Sequence, residues 1–497
     1  MGLIVRLARI FSGLRVRNTE GPRGSVIAFI MALVTVLATG VAGLQQYSSQ
    51  RDDRANREAE LIANEAVGTD VSAAVEANAD YGIMRRWQEE LFQQTWAQQQ
   101  LSADPLGPAS PLLQAMATSN SQLADWASTQ SGLLQAPYFD AQNKTTDAIA
   151  YGADRSAATF RAREERLAAT DESNAWSAVS TRYVAILTML AVALFFLGIA
   201  STAERAARPG LTLGGSLLGL VALVWTISSV ASGVDRIQGS AIDRLVDGNV
   251  ALTKGTGYAS TDVEKARPFL EEAIRGADAA LEQDSDYASP LLLRAGARLT
   301  LANAILAKGQ DTDETRSLIN DALDDYRSYS ALRPEDPATW WNLGITAFFA
   351  GQYQESVDAS TKSIEISPNQ FPVYLNRAIA YLALGNKSAA DADVESGLRV
   401  VAASGLDSNA SFFIREDAGL ERLAARRPNE ADAIRAMQRR LREVYVAYRA
   451  TGQGTADAGA PEVKVDSASL IGVTLNGEVI AGKAIENGAS FGQAEGG

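Results

Sequence analysis

The chain has 497 residues, with 45 Lys plus Arg against 59 Asp plus Glu, a formal charge of −14. Apolar residues make up 46% and charged residues 21%, which excludes a wholly disordered chain and leaves room for more than one domain. The absence of Cys and His excludes disulfides, thiol nucleophiles, Cys/His zinc sites and imidazole acid–base chemistry.

Residues 1–24 carry Arg6, Arg9, Arg15, Arg17 and Arg23 against Glu20, with Leu3, Leu7, Ile10 and Leu14 on one helical face. The pattern fits a basic amphipathic helix lying on membrane lipid, and fits equally a positive stop signal with apolar filler. Three windows then lack any ionisable residue: 25–44, 183–201 and 211–234. Each approaches or exceeds the roughly 20 residues that a helix needs to cross hydrocarbon, and core helices seldom stay apolar on all faces for so long. The first window exceeds the apolar stretch of about 7 to 15 residues usual in a cleaved leader, so it reads as an uncleaved anchor.

Arginine in the short flanks, including Arg205 and Arg208 in the loop 202–210, predicts a cytoplasmic N-terminus. Three crossings then place the 45–182 segment and everything after residue 234 outside the cytoplasm, in a multi-pass protein of the cell membrane. No charge lies within a span, which argues against a pump or transporter. Gly215 and Gly219 have the spacing that lets helix backbones approach closely, best used for packing within the chain.

No Pro occurs from residue 45 to Pro105, nor between Pro137 and the second span. Residues 45–102 and 139–182 are therefore predicted as two long helical arms, with a shorter helix over 112–135 at their turn. Tyr81, Met84, Trp87, Leu91 and Trp96 follow helical spacing, which signals packing rather than a ligand cage. A sustained heptad is absent, so the first arm does not read as a parallel coiled coil. The outline resembles the sensor regions of bacterial signalling receptors by fold analogy alone.

From Pro337 the sequence repeats. Residues 337–370 and 371–400 align at an offset of 34, bringing Trp340 over Tyr374, Gly344 over Ala378, Gly351 over Gly385 and Ser356 over Ala390. The period and these positions resemble the tetratricopeptide repeat (TPR), a helix-turn-helix unit of about 34 residues. Ala347, Ser360 and Arg377 depart from that pattern. Two units need neighbours to bury their faces. Degenerate helix pairs are predicted over 235–336, with Thr261 and Glu264 as a capping box for a helix over 262–282 and its partner, 236–253, continuous with the third span. Helices over 411–424 and 429–450 would cap the series.

The resemblance implies an α-solenoid that binds polypeptide in a groove and makes or breaks no bond. The matching positions of that groove are Trp341, Ile345, Phe348 and Phe349, then Leu375, Asn376, Ile379 and Leu382. An apolar groove suits a hydrophobic peptide, a neighbouring helix of a second copy, or later helices of the same chain. Some members of the family hold a C-terminal carboxylate with Asn and basic side chains, and Asn376 and Arg377 stand where such a clamp is expected, although Ile345 replaces a second Asn.

Residues 260–400 hold 13 basic against 22 acidic side chains, which makes nucleic acid a poor partner. Residues 451–460 read as a linker, and the alternating tail around Asn476-Gly477 predicts a β-hairpin that could self-associate. No phosphate-binding Gly loop or G-x-S-x-G elbow occurs, and the adjacent acids Asp324/Asp325 and Glu271/Glu272 point apart on predicted helices. The sequence thus predicts an all-α, membrane-anchored, non-enzymatic bacterial scaffold, without catalytic, metal or cofactor residues. The alternatives are a transmembrane sensor reading a ligand at the 45–182 hairpin, and a structural subunit of a larger membrane complex.

Overall fold

In the computed structural model, described for residues 22–404 except 205, 235, 310 and 311, and for 420, 421, 424, 431, 432, 434–439 and 442, helices dominate. The predicted N-terminal amphipathic segment, most of the 411–424 and 429–450 helices, and the tail hairpin lie outside the described residues. Two compact units are present among the described residues, one comprising 22–63 together with 165–236, the other 64–164 together with the described residues from 237 onward.

The first unit contains the N-terminal part of α1 (Pro22–Ala103), most of α4 (Ala157–Thr202) and α5 (Arg208–Ala231). All three helices are long and apolar enough to cross a membrane. They meet through Val34, Val41, Ile186, Leu190, Leu197 and Ala222. A Cβ on Gly215 would stand 2.9 Å from the Ala193 carbonyl, and one on Gly219 3.1 Å from Val34, so both glycines serve close packing inside the chain. Arg208 donates to the carbonyls of Ala200 at 3.0 Å and Ser201 at 2.8 Å, satisfying acceptors that the end of α4 leaves open. Beyond the apolar stretch the side chains turn polar: Ser173 donates to Asp52 at 2.6 Å, and Arg236 pairs with Glu58 at 2.8 Å and Glu172 at 3.4 Å.

The second unit begins with residues 64–103 of α1, against which α2 (Ser110–Gln130) folds back. Trp87, Ala124, Ala127 and Leu134 form the core of this turn, with the Trp87 and Phe139 rings edge to face at 5.2 Å. The returning arm is not the continuous helix expected over 139–182. Residues Phe139–Asp140 (β1) pair antiparallel with Thr145–Thr146 (β2), and helix resumes only as α3 (Ala148–Arg155) and then α4. Side-chain turn chemistry overrides the absence of Pro: Asp140 accepts from the amides of Gln142 at 2.8 Å and Asn143 at 3.2 Å, and Lys144 takes a φ of 54°. Asp147 then caps α3 by accepting from the Ala150 amide at 3.0 Å.

Among the described residues, eight further helices follow in pairs: α6 (Gly239–Ala259) with α7 (Val263–Gln283), α8 (Ser289–Ala307) with α9 (Asp313–Leu332), α10 (Pro337–Phe349) with α11 (Tyr353–Ile366), and α12 (Phe371–Ala383) with α13 (Lys387–Ser404). The helix before α7 is not continuous with the third span, because α5 ends at Ala231 and Gly233 turns the backbone with a φ of 58°. The cap of α7 is Asp262, which accepts from the Lys265 amide at 3.0 Å, while Thr261 donates to the Tyr258 carbonyl. The expected Thr261/Glu264 box is thus displaced by one residue, since a carboxylate caps at least as well as a hydroxyl.

Candidate protein-binding site

Both units predicted over 337–400 are antiparallel helix pairs. Ser363 donates to the Pro337 carbonyl at 2.8 Å, and Gly344 faces Ser356 and Ser360. In the next pair Arg377 reaches Asp393 at 2.6 Å, and Gly397 faces Phe371 and Tyr374. The repeat also recurs in its bonds. Trp340 donates from Nε1 to the Pro334 carbonyl at 2.8 Å, and Tyr374 from its hydroxyl to the Pro368 carbonyl at 2.9 Å. Different side chains therefore make the same tether, each to the proline that closes the preceding pair.

The eight groove positions do not form an open surface. Trp341, Ile345, Leu375, Asn376, Ile379 and Leu382 are buried, and the apolar ones share a core with Val394, Leu420, Ala424, Ile434 and Met437. Of the eight, Phe348 and Phe349 remain partly exposed. Their rings lie 6.1 Å apart, and Phe348 stands 5.5 Å from the ring of Tyr353. Burial follows from the apolar character that suggested a groove: the side chains of Leu420, Ala424, Ile434 and Met437 satisfy it within the chain. Nor is Arg377 free to clamp a carboxylate from elsewhere. It is committed to Asp393 and, at 3.0 Å, to Thr361 Oγ1. Trp341 Nε1 and Asn376 Nδ2 are enclosed without a hydrogen-bond partner among the described residues.

A polar seam that the sequence did not reveal joins the hairpin to the first helix pairs. The Tyr258 hydroxyl donates to Asp147 at 2.6 Å and Lys265 Nζ donates to it at 2.9 Å, with Lys265 over the Tyr258 ring at 3.8 Å. Lys254 pairs with Asp154 at 2.7 Å, Arg161 with Asp243 at 2.6 Å, and Tyr287 donates to Glu164 at 3.0 Å. Burial raises the Asp147 carboxyl, but the bonds from Tyr258, the Ala150 amide and Lys265 outweigh it and hold the group below its ordinary value. Nearby, burial and the Asp80 carboxylate push the Tyr151 hydroxyl up to about 12. The only sequence signal at this seam is the run Thr145-Thr146-Asp147 before an Ala-rich stretch, which marks a helix start but names no distant partner.

Among the described residues no cluster of three or more acidic side chains could hold a metal ion. A shallow depression of about 460 Å³ on α2 is lined by Pro111, Gln114, Ala115, Thr118, Ser119 and Gln122, without an ionisable group to perform chemistry.

No protein-family profile matches the sequence, and no curated protein matches it. A solved structure described as "Crystal structure of MamA" is similar, with 16% identity, 40% of this chain and 95% of that chain covered, and a TM-score of 0.23. A likeness this slight does not define a family.

Proposed function

We propose that the chain is a membrane-anchored, non-catalytic scaffold of TPR type that holds another polypeptide against its paired helices. The observation that carries this reading is the duplicated tether of Trp340 and Tyr374, 34 residues apart, because a recurrent helix-pair geometry is the signature of stacked repeats that work by binding. Since most groove positions are filled from within, the partner docks at the rim formed by Phe348, Phe349 and Tyr353, where aromatic side chains are still reachable.

Anchoring through three spans is supported by the packing of residues 64–164 with those after 237. A hairpin between spans one and two and a domain after span three fall on the same side of a bilayer, as that contact demands. The arginine-rich flanks favour an extracytoplasmic side for both. Photo-reactive residues installed at Phe348 and Phe349 in the intact chain in cells should each capture a discrete polypeptide. The proposal fails if neither position yields a product.

The bonds from Asp147, Asp154 and Glu164 to the first helix pairs favour a second reading, in which the hairpin senses a ligand and the repeats report it. Ligand-dependent loss of the captured product at Phe348 would support that reading, and capture indifferent to every ligand tried would count against it.

A further inference from the structure

The groove positions of α10 and α12 are filled by a segment that arrives late in the chain. Leu420, Ala424, Ile434 and Met437 share one apolar cluster with Trp341 and Leu375. Every described residue from 420 to 442 is helical, and Glu421, Arg435 and Arg439 are exposed. The segment is therefore amphipathic, with apolar side chains three and four residues apart turned inward, which is the pattern of a helix laid into a groove.

Two observations separate this occupant from a permanent wall. Its pairing with the groove is incomplete: Trp341 and Asn376 are 0% and 6% exposed, and their Nε1 and Nδ2 donors are enclosed without an acceptor among the described residues. A buried donor left unpaired penalises the closed arrangement. The segment is also tied to itself. Glu421 and Arg435 pair at 3.1 Å while both stay about half exposed, which links its two helical stretches to each other rather than to the repeats. Between the repeat pairs, by contrast, Arg377 on α12 reaches back to Thr361 on α11. Phe348 and Phe349 pack against the edge of the same cluster, so the docking rim proposed above is continuous with the surface that the segment occupies.

We infer that residues 420–439 are an internal pseudo-ligand that closes the groove, and that the partner is an amphipathic helix that takes their place. That helix lays apolar residues three and four apart on α10 and α12, and offers side-chain acceptors to Trp341 and Asn376. The inference rests on the scaffold reading for the existence of a partner and deepens it by naming the partner's chemistry and what holds it off. Closure lowers the apparent affinity of the groove in proportion to the fraction of chains that are open.

The probe is a fluorescent peptide of residues 418–440. In detergent, the full-length Ile434→Asp/Met437→Asp variant loses two apolar anchors of its own segment and keeps an unaltered groove. With helicity unchanged by circular dichroism, it should bind the peptide at least about tenfold more tightly than the parent chain in fluorescence polarisation. Equal binding by the two chains, or binding by neither, overturns the inference.

Hydrogen exchange on the unmodified chain tests the same opening without a substitution. Amides of residues 434–439 should exchange at least about tenfold faster than those of α12, because the segment lifts while the repeats stay folded. Equal protection of the two overturns the inference. Peptide binding by the variant with no product captured at Phe348 or Phe349 in cells refutes the scaffold reading alone, whereas captured product without peptide binding overturns the pseudo-ligand alone.

Discussion

Gly351 and Gly385 hold the same left-handed backbone, each with a φ of 78°, and each closes the same turn. The Gly351 amide donates to Phe348 and the next amide to Ala347, at 3.0 and 2.8 Å. The Gly385 amide donates to Leu382 and the next to Tyr381, at 2.9 and 2.8 Å. A side chain at either position meets the steric penalty of left-handed backbone. Gly351→Ala and Gly385→Ala should each lower stability by about 1 kcal/mol. Urea melts of the double variant should show the two losses adding, because the sites do not touch.

Arg377 replaces the Leu commoner at its repeat position, and Asp393 on the facing helix justifies the exchange. Both side chains are largely enclosed. Arg377→Leu strands a buried carboxylate and should cost about 3 kcal/mol. Arg377→Leu/Asp393→Leu should recover most of that loss, since apolar replacement of both partners removes the unpaired charge. A double variant no more stable than the single in thermal melts would show that the pair is not the source.

Asp147 gives the hairpin contact a pH signature. Its carboxyl is held below the ordinary value of 3.8, so folding favours the ionised form. The stability this contributes is fully present above pH 3.8 and is lost as pH falls through the lower folded value. Asp147→Asn keeps a capping side chain but loses the charge facing Lys265, and should cost about 1 kcal/mol at neutral pH. The gap between variant and parent should persist down to pH 3.8 and close below it, measured by denaturant melts across pH. A constant gap throughout would contradict the assignment.

Helices α6 and α7 touch through glycine. A Cβ on Gly276 would lie 3.0 Å from the Arg244 carbonyl and 3.3 Å from Gly248 Cα, both backbone atoms with little freedom to move. Gly276→Ala should cost about 1 to 3 kcal/mol. Gly239→Ala, with nothing within 4 Å of the added carbon, should be close to neutral. Equal losses in calorimetry would remove the close approach as an explanation.

Local signals make much of the architecture legible. The apolar windows, the 34-residue offset and the turn glycines mark where helices lie from 337 to 400 within a few residues. Sequence reasoning fails where a polar side chain has more than one use. Asp140 and Asp147 break a helix that the spacing of prolines allows, and Asp262 takes a cap expected of Thr261. Periodicity marks the groove positions as one apolar face, but it does not say whether a partner or the same chain covers them. Leu420, Ile434 and Met437, far along the sequence, supply that cover.

The bond between Tyr258 and Asp147 spans 111 residues of sequence. A ribosome adding about 5 to 20 residues per second needs on the order of ten seconds to cover that distance. During this interval Tyr258 and Lys265 are still unmade, so Asp147 and the apolar Ile149 beside it wait without these partners. Ile149 later packs against Gly257, so both parts of that junction form only once the chain up to residue 265 has emerged. Closure of this junction is therefore tied to synthesis past the midpoint of the 497-residue chain.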